Sequence, residues 1–229
     1  MKIIAHRCGT DKFPEQTIHA ARFSLENNVD YVEVDIRFTS DGKPVVIHDE
    51  TPENLYGIAT PVCEMTETEF LALRRKDDRA YCGHSFPDYL NCGIDRMLFH
   101  CKEGGERLNT VLDLCRQYGI LNKVVFGVQS VEDVKIVKAY GDVKVLAFMH
   151  RPYEIESFAE AGADYLRLWE GNCTEEYLTR VKNTGKKLWI MSKNPTVGEV
   201  SEGCYEFYES CGADGILVNN ILPAIDYYN

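Results

Sequence analysis

The sequence predicts an α/β fold: a single (β/α)8 barrel with a small insertion after its second strand and hairpin. Two observations carry that reading. Short apolar, β-branched runs alternate with helical patterns along most of the chain, which implies parallel strands joined by crossover helices. The length of 229 residues also accommodates one such barrel, so the organisation expected is a single domain, 1–229, with an insertion at about 49–96.

The strands expected are 2–6, 31–36, 44–48, 97–102, 123–128, 143–148, 164–168, 186–191 and 213–218. Nine is one too many for the barrel. The segment DGKPVVIHD follows the second strand after a tight Asp41-Gly42 turn, so 44–48 reads as the return arm of a hairpin outside the barrel count. Helices are expected over 16–27, 66–75, 106–118, 130–139, 153–161, 174–184 and 198–211. Ser130 and Thr174 precede helical runs as caps, and Thr66 with Glu69 forms a capping-box pattern. Residues 49–96 hold few strong periodic runs and are too long for a plain loop. They are expected to lie over the C-terminal face, part helix and part irregular, where a barrel holds its active site.

Hydrophobic residues make up 45% and charged residues 27%, which is globular rather than disordered composition. The net charge of −11 argues against binding nucleic acid by broad charge attraction and against docking on anionic lipid. It leaves a small phosphate ligand open, because a few local cations outweigh distant surface charge. The N-terminal apolar run, Ile3–Ala5, is too short for a signal peptide, and no segment approaches a membrane span, so the expectation is a soluble, cytoplasmic chain without stable membrane anchoring. Nine cysteines without a CxxC pair read as free thiols.

Polar residues cluster at the expected C-terminal strand ends. Glu33 and Asp35 lie two apart on one face of a strand, with Val32, Val34 and Ile36 opposite. Two carboxylates pointing together into a barrel are tolerated if a cation sits between them or if one takes up a proton. Oxygen ligands favour a hard divalent ion, Mg²⁺ or Ca²⁺. His6-Arg7 offers a proton carrier and a phosphate clamp at the end of the first strand. His48-Asp49 ends the hairpin arm, and Lys102 ends its strand with His100 on the same face. Gln129, His150, Arg167 and Trp169 fall at later strand ends, as candidates to line a pocket there.

The order AHR, PEQT at 14–17 and VEVDIRFTSDGKPVVIHD at 32–49 resembles the glycerophosphodiester phosphodiesterase family, whose pattern runs HRG, PENT, ExD, a T-x-DG turn and a strand ending in HD. LFHCK at 98–102 sits where that family has an E-x-K strand, and GADGILVNN at 212–220 sits near its closing strand. The resemblance implies a TIM-type barrel. It also implies metal-dependent hydrolysis of glycerophosphodiesters to sn-glycerol 3-phosphate and an alcohol. By the same resemblance His6 and His48 match the acid/base pair, Glu33 and Asp35 the metal ligands, and Arg7 and Lys102 the phosphate-binding cations. Glu15 lies at the site edge, and Trp169 is the expected wall for the alcohol. The attacker is water or a neighbouring glycerol hydroxyl.

Several residues depart from the family pattern. Cys8 replaces the Gly of HRG, Gln16 the Asn of PENT, and His100 the Glu that completes the metal site; Met191 replaces a frequent Trp, and Asn219 falls near a closing Asp. His100 as a third ligand tilts preference toward Mn²⁺ or Zn²⁺. It alternatively stays out of the metal shell, or carries a proton and contacts phosphate. The alternatives to the lead activity are a phospholipase-D-like enzyme acting on a lysophospholipid and a catalytically silent barrel that binds a phosphorylated ligand. The partner expected is a small-molecule phosphodiester. The sequence assigns no oligomeric state.

Overall fold

The computed structural model describes residues 1–201 and 203–228. Its strands are β1 (Lys2–Ala5), β2 (Tyr31–Phe38), β3 (Pro44–Val46), β4 (His84–Ser85), β5 (Met97–Cys101), β6 (Val125–Val128), β7 (Lys144–Ala147), β8 (Tyr165–Trp169), β9 (Lys187–Met191) and β10 (Gly215–Val218). Eight of them pair in parallel, in the order β1, β2, β5, β6, β7, β8, β9, β10 and back to β1, which closes the barrel. β3 returns antiparallel on β2, outside the ring, as the Asp41-Gly42 turn predicts.

Helices fill the crossovers: α1 (Ile18–Glu26), α2 (Glu53–Tyr56), α3 (Glu67–Ala72), α4 (Phe86–Asn91), α5 (Arg107–Gln117), α6 (Val131–Ala139), α7 (Ile155–Glu160), α8 (Glu175–Thr184), α9 (Cys204–Ser210) and α10 (Ile221–Tyr228). The period-2 alternation of each strand splits the apolar residues into two cores. Val32, Val34 and Ile36 face the helices in the large outer core. Ile4, Leu98, Val125, Leu146 and Trp189 fill the inside of the barrel and seal its lower end.

One expectation is narrowed and another needs correction. Residues 49–96 do not line the central cavity, although Asp49 pairs with the cavity's His48 and Asn54 with Asp49. They build a small core of their own on β3, from Val45, Ile47, Val62 and Phe70, and return as β4 beside β3. They end in α4, which supplies the missing crossover helix: Phe86 and Tyr89 enter the outer core, and Phe86 packs edge-on against Phe99 at 4.9 Å. The helix expected over 198–211 is shorter. Gly198 and Gly203 hold φ of +85° and +82°, outside the right-handed helix, and the helix starts only at Cys204. Residue 202 of that span lies outside the described residues.

Candidate active site

The site is built at the C-terminal ends of the strands from residues on their inward faces. Glu33 and Asp35 on β2 are completely buried. The β2–β5 register sets Asp35 directly beside His100. His100 Nδ1 lies 2.9 Å from Asp35 Oδ1 and 3.4 Å from Glu33 Oε1. Lys102 Nζ lies 2.9 Å from Asp35 Oδ1 and 3.1 Å from His100 Nδ1.

Burial and the Asp35 charge together push the Glu33 carboxyl up to about 8. Burial works against the Asp35 carboxylate as well, but Lys102 and His100 hold it well below the ordinary range. Burial, followed by the neighbouring Lys102, lowers His100 to about 4, so its imidazole is neutral at pH 7. Without a cation the pair is therefore tolerated by a proton on Glu33. Glu33 Oε1 and Asp35 Oδ1 nonetheless remain without hydrogen-bond partners, despite the close approaches to Asp35. These two orphaned oxygens and His100 form a buried group whose ligand atoms lie within 4.8 Å of one another. That donor set fits a divalent cation: two hard oxygens plus one imidazole nitrogen.

His6 opens a tight turn after β1. Its Nδ1 lies 2.6 Å from Asn219 Oδ1, while Asn219 Nδ2 donates to the Val197 carbonyl at 3.0 Å. The second bond fixes the amide, so Oδ1 accepts, Nδ1 carries the proton and Nε2 keeps its lone pair. Gly198 makes this possible, because a Cβ there would collide with the Asn219 side-chain amide. His48 is held in the same tautomer. Its Nδ1 donates to Asp49 Oδ1 at 2.7 Å, and Asn54 fixes Asp49 from the other side at 2.8 Å. Burial lowers the pKa of both imidazoles.

The turn after His6 is strained. Arg7 and Cys8 hold φ of 50° and 75°, and Gln16 holds 58°. The strain aims groups at the carboxylates. Arg7 N–H donates to Glu33 Oε2 at 2.7 Å, and Gln16 Nε2 donates to Asp35 Oδ2 at 2.6 Å. The Arg7 guanidinium meets both oxygens of Glu15 at 3.2 Å. Cys8, in the place of a family glycine, is buried with its thiol against the Glu33 carbonyl and the Tyr89 hydroxyl.

A cavity of about 230 Å³ opens above these groups, lined among others by His6, His48, His100, Lys102, Arg167 and Trp169. Glu15 and Arg7 stand at its edge rather than in its wall. Phe148 stacks on His100 with ring centroids 3.9 Å apart and 6° between planes. Gly127 leaves room for it, because a Cβ there would run into the Phe148 ring. Four supporting residues had no role from sequence: Gln16 and Asn219 stood out only as departures from a pattern, Gln129 only as a wall candidate, and Phe148 not at all. Gln129 Nε2 lies 3.0 Å from His100 Nε2.

The family model for the glycerophosphoryl diester phosphodiesterase family matches residues 6–114, a little under half of the chain. Glycerophosphodiester phosphodiesterase 1 of Rattus norvegicus is 43% identical over 63 residues, 28% of this chain and 19% of that protein. The glycerophosphodiester phosphodiesterase of Caldanaerobacter subterraneus is 47% identical over 49 residues, 21% of this chain and 20% of that protein. The chain thus matches about a fifth of the length of each of these relatives. The crystal structure of a glycerophosphodiester phosphodiesterase from Thermotoga maritima superposes with a TM-score of 0.77 at 18% identity, covering 98% of this chain and 97% of that one. Another, from Agrobacterium tumefaciens, gives 0.76 at 20% identity, covering 96% of each. These two likenesses establish the fold.

Proposed function

We propose that this chain, which belongs to the glycerophosphoryl diester phosphodiesterase family, hydrolyses glycerophosphodiesters to sn-glycerol 3-phosphate and an alcohol in a metal-dependent reaction. One observation carries the reading. Two imidazoles, each with Nδ1 tied to an acceptor, line one cavity with a cation-ready carboxylate pair beneath them.

Glu33, Asp35 and His100 would hold the metal. When bound there it supplies Lewis-acid withdrawal of charge from the non-bridging phosphate oxygens. With the metal bound, a flip of the Gln129 amide would let its oxygen accept the His100 Nε2–H and leave the Nδ1 lone pair toward the carboxylates. Lys102 and Arg7 add positive charge at the phosphate. His6 is the better base, since its Nδ1 partner is a neutral amide and its Nε2 holds a lone pair for the proton of the attacking hydroxyl. His48 is the better acid, since the Asp49 carboxylate stabilises its imidazolium and a proton can pass from Nε2 to the leaving alkoxide. No residue of 49–96 lines the cavity, so that segment does not build the larger apolar mouth that would favour a lysophospholipid substrate.

The test is turnover of glycerophosphodiesters after chelation, with Mg²⁺, Ca²⁺, Mn²⁺ or Zn²⁺ restored one at a time. Activity should return with at least one ion, and His6→Ala and His48→Ala should each lower kcat by roughly 10²–10⁴-fold in a folded protein. Folded protein that stays inactive with every ion would leave a silent ligand-binding barrel as the reading.

A further inference from the structure

The polar wall opposite the carboxylates contains a cation that the chemistry above does not use. Tyr165, Arg167 and Trp169 alternate on the inward face of β8, which stands across the barrel from β2. Arg167 is 5% exposed and lines the cavity. Its guanidinium lies 4.3 Å from the Trp169 ring and 5.3 Å from the Phe148 ring, the ring that also stacks on His100. Its hydrogen bond is from Nη2 to the Met149 carbonyl, at 3.3 Å, and Nε and Nη1 have no partner. Among the described residues no carboxylate pairs with it. The two nearest acidic neighbours along the chain are both engaged elsewhere: Glu170 Oε2 accepts from Lys193 N–H at 2.9 Å and from the Tyr208 hydroxyl at 3.0 Å, and Asp164 is held by Lys138 and Lys144 at 2.6 and 3.2 Å.

The other two cations differ. Arg7 is held by Glu15 and Lys102 by Asp35. A buried arginine with unmet donors is costly unless an anion reaches it. Two aromatic rings adjoin it and it is buried, so its donors are set for an oxyanion in the cavity rather than free to snorkel to water. It stands on β8, across the barrel from β2, whereas Lys102 is the cation beside the carboxylate pair, so the phosphate there has a nearer partner and Arg167 faces the other half of the ester. The glycerol half of the ester is uncharged, so a second anion must come from the alcohol half.

We propose that Arg167 reads an anionic group on the leaving alcohol, so that the preferred substrates are glycerophosphodiesters whose alcohol carries its own carboxylate or phosphate. This rests on the phosphodiesterase reading and narrows it. The positive wall disfavours quaternary ammonium alcohols such as choline for the same reason.

The experiment uses matched esters. Glycerophosphoserine and glycerophosphoethanolamine differ by one carboxylate; glycerophosphoglycerol phosphate and glycerophosphoglycerol differ by one phosphate. In the wild-type protein with its activating metal, kcat/KM should favour the anionic member of at least one pair by about tenfold or more. The pair that shows the larger ratio identifies carboxylate or phosphate as the source. Arg167→Met, which keeps the bulk against Trp169, should collapse that ratio to within about twofold, mainly through KM, and Arg167→Lys should restore part of it. Equal rates within both pairs, or an equal loss for both members in Arg167→Met, overturn the proposal and leave the phosphodiesterase reading standing. If the wild type cleaves none of the four, that reading fails. Calorimetric titration of the uncleaved esters into wild type and Arg167→Met then decides the Arg167 proposal by itself. Equal dissociation constants within each pair overturn it, and tighter binding of an anionic member that Arg167→Met abolishes supports it.

Discussion

The buried carboxylate pair makes the metal-free protein less stable than its fold allows, and Glu33→Gln should expose this. The Glu33 carboxyl is pushed from an ordinary 4.5 up to about 8, by burial first and by Asp35 second. A group whose pKa is raised by folding contributes stability below its unfolded value and loses it as pH rises through the folded value. For Glu33 that window runs from about 4.5 to about 8. At 1.36 kcal/mol per unit, the full loss above pH 8 is on the order of 4–5 kcal/mol. Some of it returns as Lys102 and water rearrange around the charge, so a gain of roughly 2–4 kcal/mol is expected for the variant at pH 9. The glutamine of the variant keeps an oxygen for the Arg7 N–H that Glu33 Oε2 now accepts at 2.7 Å, and its amide can donate to the orphaned Asp35 Oδ1. The assay is urea unfolding in chelator at pH 5.5, 7 and 9, read as the difference between variant and wild type so that the histidines cancel. That difference should be smallest at pH 5.5, one unit into the window, and should grow to a plateau above pH 8. The wild type should also be stabilised by a divalent ion, by about 2.7 kcal/mol at a hundredfold excess over Kd, and the variant much less. A variant less stable than wild type at pH 9, or one that keeps the full ion-induced shift, would refute the reasoning.

Three further outcomes follow from the surrounding shell. Asn219→Asp replaces the neutral acceptor on His6 Nδ1 with a carboxylate, which favours the imidazolium; the acidic limb of the pH–rate profile should move upward by about one unit, measured as kcat/KM against pH. Gly127→Ala drives a methyl into Phe148 and should cost roughly 1–3 kcal/mol in urea unfolding while displacing the plane that His100 stacks on, so divalent-ion affinity should fall in the same variant. Asp11 accepts from the backbone N–H groups of Ile221 and Leu222, at 2.8 and 3.1 Å, and Asp11→Ala should cost about 1 kcal/mol and loosen α10 without changing the metal dependence, as hydrogen exchange at the C-terminus would show.

The barrel was legible because each strand and most helices carry their signals locally. The nine expected strands all form, since β-branched runs bounded by turns need nothing from elsewhere to declare themselves. What was missed depended on distant partners or on competing local cues. The start of α10 is capped by Asp11, 210 residues away in sequence, while Asn220, the local cap residue, accepts from the Thr10 hydroxyl instead. By contrast α4 had a readable start, Ser85 with Asp88 forming a capping box and Pro87 in the first turn, inside a segment whose prolines and cysteines masked it. The catalytic candidates were legible as polar residues at strand ends. Their supports were not, because Gln16, Asn219 and Phe148 act through backbone turns and neighbouring strands that bring them to residues far away in the chain.

The net charge of −11 also takes a sharper meaning at the site. A phosphate approaching this acidic chain meets two cations that are already paired, Arg7 with Glu15 and Lys102 with Asp35. Lys102 is freed for a phosphate to the degree that Asp35 is neutralised by something else, so a cation on the carboxylates and a phosphate on Lys102 should favour each other. Arg167 stands outside that exchange, because no carboxylate among the described residues holds it. The same cavity therefore contains one cation whose availability depends on the metal and one whose availability does not. Inorganic phosphate or a phosphomonoester should accordingly bind more tightly with the activating ion present. The contribution of Arg167 to discrimination between the esters, read as the ratio of their dissociation constants, should be the same with and without it.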